Sequence, residues 1–396
     1  MSEINSVEPF ADGFITALCP ELIIFVGLIL LIIVPNLGKG TVRIPGTQAR
    51  VMWFLGGNRF SLTSNPKLPA WIATITLGAA FVQTMLSFQD GVDRTAIVTE
   101  SGKQLMLVNG FSRVFELIFF GALTLAAFAS MNRLEVKGVG PKLSTDDLYN
   151  NRRQADFYIL MLTCGLGMSV VALAQDLFVL FIGLELASFS TYVLVAFYKE
   201  TKVGTEAGMK YFIVGSVASG VGLYGLSMLY LWAGSLQFDA LAAQFVVDGT
   251  EPLPLIAMGF VLVGFGFKVS AAPFHFAAPD AYAGASSPVA GILATASKAM
   301  GIIGLLRMLL IVASPEASED GTVWLTLLGV LSIITMTWGN IAALGSKNPK
   351  RMLAYSSVAH AGYMLAAITA IGAWNWDASL AGCLLYTSPS PRDQSG

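Results

Sequence analysis

The sequence predicts an all-α protein that crosses a lipid bilayer about ten times, and three observations lead there. Charged residues make up 12% of the 396-residue chain, about half the usual share for a soluble domain. Apolar residues reach 55% before 40 glycines are counted, and mean hydropathy is +0.68. The apolar residues come in runs of about 20, the length a helix needs to cross the hydrocarbon layer. A helix satisfies its own backbone groups in lipid, and runs this long greatly exceed a barrel strand.

The runs lie near 15–35, 69–88, 110–131, 155–174, 176–198, 206–233, 254–278, 287–313, 322–345 and 351–372. The first fourteen residues carry Glu3, Glu8 and Asp12 but no Lys or Arg, so the first run lacks the basic flank of a cleaved leader and is expected to be retained. Loop charge orients the rest. With the N-terminus outside, the inside loops hold Lys39, Arg43, Arg50, Arg59 and Lys67, then Arg133, Lys137, Lys142, Arg152 and Arg153, then Lys199 and Lys202, then Lys347, Lys350 and Arg351. The outside loops hold Arg94 and Lys103 alone. A miscounted helix would scramble this alternation, so the bias supports the number of spans as well as their direction.

An eleventh apolar run begins near Ser379 and is cut off by T-S-P-S-P-R-D-Q-S-G from Thr387 to Gly396. The string L-L-Y-T-S-P-S-P-R-D resembles translated sequencing-adapter read-through, so residues 385–396 are expected to be a non-native tail.

Composition also excludes functions. The 23 Lys and Arg nearly balance 25 Asp and Glu, leaving no basic surplus to hold nucleic acid. Cys19, Cys164 and Cys383 are far apart, and with His275 and His360 they assemble no zinc, haem or iron–sulfur ligand set. A redox cofactor is therefore expected on another chain. Gly264 and Gly266 follow no strand, which argues against a nucleotide-binding loop.

Four ionisable residues sit well inside spans: Glu185, Lys210, Lys268 and Lys298. Each opposes insertion by about 2.5–3.5 kcal/mol near a helix centre, a cost that neutral residues would avoid. One reading of Lys210 is a snorkelling side chain paired with Glu206 one turn earlier. The other makes all four a proton relay. Burial disfavours charge on an amine or a carboxyl, and a neighbouring opposite charge restores it, so moving one partner drives a proton to the next group. Glu185 is the only carboxylate deep in a span and is the expected partner of Lys210.

In the seventh span Lys268 is followed by Pro273, His275 and Pro279, and such prolines free carbonyls that need water or a neighbouring helix. A broken helix beside a buried lysine predicts a hydrated cavity. His275 lies seven residues from Lys268, two turns along one face, and either carries protons toward the inner surface or is hydrogen-bonded within the break. His360 on the tenth span has the same two readings. Gly215 and Ser219, one turn apart, read as a close helix contact, while Arg113 with Glu116, and Arg307, read as interfacial or locally paired.

The run G-F-K-V-S-A-A-P-F-H-F-A-A-P-D-A-Y-A-G-A-S-S-P-V from Gly266 to Val289 and A-T-A-S-K-A-M from Ala294 resemble the antiporter-like membrane subunits of respiratory complex I, subunit N in particular. Further matches are L-F-I-G-L-E-L-A-S-F-S-T-Y around Glu185, E-A-G-M-K-Y-F around Lys210 and K-N-P-K-R-M-L-A-Y-S-S-V-A-H-A-G-Y from Lys347 to Tyr363. The likeness is strong from Ala155 to Ala373 and weak over the first three spans.

That resemblance implies fourteen helices with two inverted five-helix repeats, each containing a broken helix. Residues 1–150 would form an N-terminal three-helix segment with long inside loops, 151–313 the first repeat, and 314–384 the start of the second. It implies a coupled Glu185–Lys210 pair, Lys268 as the lysine of the broken helix and Lys298 as the next relay group. Ala283 and Ser286 stand where the family has glutamate and proline, which weakens any role for that loop. The lysine of the second broken helix would fall after position 396, so the chain as it stands is not expected to pump.

The implied function is proton translocation in a multi-pass subunit of the cell inner (plasma) membrane, driven by electron transfer from NADH or a similar donor to quinone. Flavin and iron–sulfur clusters would sit on partner subunits, with other membrane subunits and the bilayer as this chain's own partners. A sodium/proton antiporter subunit of the Mrp type and a structural spacer subunit are the competing expectations.

Overall fold

A computed structural model describes residues 14–43, 50–54, 67–90, 94–98, 104–131, 145–198, 201–249, 251–312 and 321–372. The eleventh apolar run and the 385–396 tail lie outside the described residues. In chain order the elements are α1 (Phe14–Ala17), α2 (Cys19–Asn36), β1 (Leu37–Arg43), β2 (Arg50–Phe54), α3 (Leu68–Asp90), β3 (Arg94–Val98), β4 (Gln104–Val108), α4 (Gly110–Ser130) and α5 (Thr145–Leu173). They continue with α6 (Leu177–Val195), α7 (Lys202–Ala233), α8 (Phe238–Asp248), α9 (Pro252–Val269), α10 (Ala278–Gly284), α11 (Ser287–Ala294), α12 (Ala296–Val312), α13 (Gly321–Gly345) and α14 (Pro349–Gly372).

Each of the ten apolar runs contains helix. Eight helices among the described residues are long and apolar enough to cross a membrane. The other two runs are the shorter apolar stretch Cys19–Ile33 of α2 and α14, which opens on Lys350 and Arg351. Three differences from the sequence expectation stand out. Two antiparallel hairpins, β1–β2 and β3–β4, occupy loops between spans, so all-α describes the spans and not the connections. The seventh run does not stay helical to 278, because α9 stops at Val269. The eighth run is interrupted at Thr295, whose backbone (φ −110°, ψ −82°) separates α11 from α12.

Local chemistry sets the ends. The Asn109 side chain accepts from the Ser112 N–H while Ser112 Oγ accepts from the Asn109 N–H, a reciprocal cap that starts α4. Asp176 Oδ1 accepts from the N–H groups of Phe178 and Val179 and starts α6. Thr201 caps α7, which ends in left-handed Gly234 at φ 68°. Inside the spans, the hydroxyls of Thr84, Ser130 and Thr335 donate to the carbonyl four residues back, which satisfies those hydrogens in an apolar setting.

Among the described residues, two sets of contacts tie the connections to the spans. In one, β3–β4 packs on Ala17, Leu18 and Leu173, and the Gln175 N–H reaches Leu105 O at 2.9 Å. In the other, Arg153 donates to Phe197 O at 2.5 Å and Lys350 Nζ to Ala285 O at 2.9 Å, beside α10. Among the spans, α5 lies against α6, α7 against α9 and α13 against α14. The α5–α6 crossing is backbone on backbone: a Cβ on Gly167 would stand 2.5 Å from Ala187 N and 2.7 Å from Gly183 O.

Candidate functional site

The site forms where α9 breaks. Pro252 starts this helix at a position whose missing N–H costs nothing. Ser270 ends it in the left-handed region at φ 64°, and the Ala271 N–H returns to Gly266 O at 2.8 Å. The Ala272 N–H, freed by the break, donates to Thr335 Oγ1 of α13 at 3.0 Å, so a neighbouring helix satisfies it. Lys268, one residue before the end of α9, is 4% exposed. Its Nζ donates to Ser188 Oγ of α6 at 2.7 Å and lies 5.8 Å from the Tyr192 ring centroid, a cation–π distance. Ser188 Oγ passes its own hydrogen to Leu184 O at 2.5 Å.

Glu185 lies one turn from Ser188 on the same helix. Its Oε1 accepts from Ser219 Oγ of α7 at 2.6 Å. The expected Glu185–Lys210 pair is not formed. Lys210 Nζ instead meets Glu206 Oε1 at 2.6 Å and Asp280 Oδ2 at 3.0 Å. The reason is register: Gly208 of α7 faces Ala196, just past α6, and Gly215 faces Tyr192, which brings Ser219 level with Glu185 and leaves Lys210 at the C-terminal end of α6. Ser219 is thus more than a packing residue. Arg351 of α14 also bonds Asp280, so one carboxylate holds two cations near α10. Burial pushes the Asp280 carboxyl up, but hydrogen bonds from Lys210 and Arg351 and their charges hold it below its ordinary value.

Lys298 on α12 is 2% exposed and donates to the Ser357 carbonyl of α14. His360 lies one turn further along α14, exposed, with its ring 5.6 Å from that of Tyr363. His275 is buried in the segment after α9, stacked on Phe276 at 4.9 Å and near Trp338 at 6.0 Å, with Nδ1 unpartnered. Because α9 stops six residues earlier, His275 does not share a helical face with Lys268, contrary to the spacing argument.

Sequence reasoning missed Ser188, Ser219, Tyr192 and Asp280. A hydroxyl one turn from a carboxylate inside a span, as Ser188 is from Glu185, was the available signal. Glu185 is also not the only carboxylate inside the bundle. Glu116 is wholly buried, 2.5 Å from Arg113, and Ser169 Oγ lies within bonding distance of both Glu116 and Glu21. Arg307 donates to the carbonyls of Ala172 and Ala174, closing the end of α5.

A polytopic helical bundle whose discontinuous helix delivers a buried lysine to a neighbour's hydroxyl, one turn from a carboxylate on that neighbour, defines a membrane protein of the antiporter-like class. Residues 174–390 match the family described as "NADH:quinone oxidoreductase/Mrp antiporter, TM", and the chain belongs to that family. It is subunit N-like. Over 298 residues it is 36% identical to NADH-quinone oxidoreductase subunit N 2 of Roseiflexus castenholzii, covering 74% of this chain and 56% of that protein. Over 325 residues it is 33% identical to F(420)H(2) dehydrogenase subunit N of Methanosarcina mazei, covering 80% of this chain and 60% of that one. It also superposes on a chain of respiratory complex I from Thermus thermophilus solved with bound aureothin, at TM-score 0.64 and 28% identity, over 93% of this chain and 69% of the other. The chain therefore spans little more than half the length of these curated relatives.

Proposed function

We propose that the chain is a proton-translocating membrane subunit of a quinone oxidoreductase, oriented with its N-terminus outside. The observation that carries this reading is the buried Lys268 ammonium at the α9 break, bonded to Ser188 one turn from Glu185. An ammonium buried inside a membrane bundle is costly, and a proton pathway is the use that explains it. Lys298 continues the relay on α12, with His360 beyond it. Lys210, Glu206 and Asp280 form its entrance at the α10 end, and His275 serves the break.

Residues 1–150 act as an N-terminal segment, 151–313 as the first antiporter-like repeat and 314–384 as the start of the second. Electron transfer occurs on partner subunits that carry flavin and iron–sulfur clusters, with quinone as acceptor. NADH is the donor favoured by the Roseiflexus castenholzii relative, although the Methanosarcina mazei relative is named for another. The family description also names Mrp antiporters, which supports sodium/proton exchange as the second reading.

Lys268→Met in the full-length protein, within the assembled complex, tests the proposal. Proton pumping is expected to be lost and quinone reduction slowed. Normal pumping with assembly intact would leave the chain a spacer, and sodium-dependent proton exchange without quinone reduction would favour the Mrp reading.

A further inference from the structure

We propose that the Tyr192 hydroxyl is the gating link of a hydroxyl chain that moves a proton between Lys268 and Glu185. This rests on the relay reading above and gives it a route.

Glu185, Ser188 and Tyr192 fall at i, i+3 and i+7 on α6 and share one face. Two ends of a path are already joined: Lys268 Nζ to Ser188 Oγ at 2.7 Å, and Ser219 Oγ to Glu185 Oε1 at 2.6 Å. Between them stands Tyr192, 3% exposed, one turn from Ser188 on α6, with its hydroxyl against Gly215, one turn from Ser219 on α7. The oxygen is buried and makes no hydrogen bond of normal geometry. Structural hydroxyls avoid that state, because an unpaired buried polar group is costly. The ring, by contrast, is held firmly, edge-on to Tyr211 at 4.9 Å and to Phe212 at 6.0 Å. The hydroxyl rests against Gly215, where a Cβ would stand 2.2 Å from it. The sequence thus provides a rigid arm and a glycine to receive it, yet leaves the oxygen unbonded.

Closing the link requires the hydroxyls to rotate and the Tyr192 oxygen to come within bonding distance of Ser188 and Ser219. Ser188 turns its hydrogen from Leu184 O toward Tyr192. The Lys268 ammonium then gives a proton to Ser188 Oγ, Ser188 gives its own to Tyr192, Tyr192 to Ser219, and Ser219 to the Glu185 carboxylate. One N–H bond breaks and one carboxyl O–H bond forms, while each hydroxyl gains and loses one hydrogen. The ammonium becomes an amine and the carboxylate an acid, and no other reactant is required. The reverse sequence restores both charges.

Tyr192→Phe in the assembled complex keeps the ring and removes the oxygen. Pumping is expected to fall at least about tenfold with assembly unchanged, and the rate ratio of quinone reduction in H2O and D2O is expected to rise as proton transfer becomes limiting. Packing damage alone would not raise that ratio. The Tyr192→Phe/Ser219→Ala double variant should be no worse than either single, since both interrupt one chain. If Tyr192→Phe does not assemble, Ser219→Ala carries the same expectations. Parental pumping and isotope ratio in the variant, with Lys268→Met inactive, would overturn the hydroxyl chain and leave the relay standing. Normal pumping by Lys268→Met would overturn both.

Discussion

Lys210 Nζ lies 3.0 Å from Asp280 Oδ2, and this contact ties α7 to α10 beside the helix break. It also explains why Lys210 does not serve Glu185. The Glu185 partner on α7 is Ser219, nine residues from Lys210, which is roughly 13 Å of helix rise and beyond the reach of a lysine stem.

The first prediction concerns this node. Asp280 titrates below its ordinary value in the folded chain, so its contribution is complete above the unfolded carboxylate pKa and is lost as pH falls through the lower, folded one. Between neutral pH and about pH 5 the node should therefore be insensitive to pH. Asp280→Asn should loosen α10 across the whole range, read as faster backbone hydrogen exchange over Ala278–Gly284 at pH 7. Exchange as slow as in the parent would show that the two cations contribute nothing to holding α10.

Much of this architecture could be read from the chain, because the ten spans depend on local composition that each run carries by itself. The interruption at Lys268 was visible through Pro273 and Pro279. The pairings were not, since they depend on the register between helices. Spacing put Glu185 and Lys210 on adjacent helices, but the contact of Gly208 with Ala196 decides which turns meet. Small residues that set such a register resemble one another in sequence, so Ser219 looked like packing. Likewise Asp280 gains its meaning only when α14 brings Arg351 to it.

Ser188 should matter to stability as well as to proton movement. It is the hydroxyl that accepts from the buried Lys268 ammonium, and Ser188→Ala leaves that donor unpaired. Such a loss costs about 1–3 kcal/mol, measurable as a lower unfolding temperature in detergent. Ser188→Thr keeps the oxygen and should recover most of the loss. Equal destabilisation by both variants would point to side-chain volume as the cause.

The Arg113–Glu116 pair gives a contrast between one substitution and two. Both side chains are buried, so Glu116→Ala leaves an uncompensated cation and should cost about 3–5 kcal/mol. Replacing both, as Arg113→Met with Glu116→Leu, removes the desolvation burden and should come within about 1 kcal/mol of the parent or exceed it. Thermal unfolding of the three proteins side by side decides. A double variant as unstable as the single would mean that the pair holds α2 and α5 through Ser169 and Glu21, rather than merely cancelling its own charges.

Two glycines in membrane helices should respond to alanine with opposite signs. At Gly167 the new Cβ would meet Ala187 N at 2.5 Å and Gly183 O at 2.7 Å. Those atoms are backbone and cannot rotate away, so α5 and α6 must separate, and overpacking of this kind costs about 1–3 kcal/mol. At Gly220, mid-way along α7, a Cβ would meet nothing within 4 Å. There the change removes backbone freedom from the unfolded chain without a clash, which favours the helix by about 0.5–1 kcal/mol. Unfolding temperatures of Gly167→Ala and Gly220→Ala should therefore fall on either side of the parent. If both fall, glycine in these helices serves flexibility throughout, and the close α5–α6 crossing is not what requires it at Gly167.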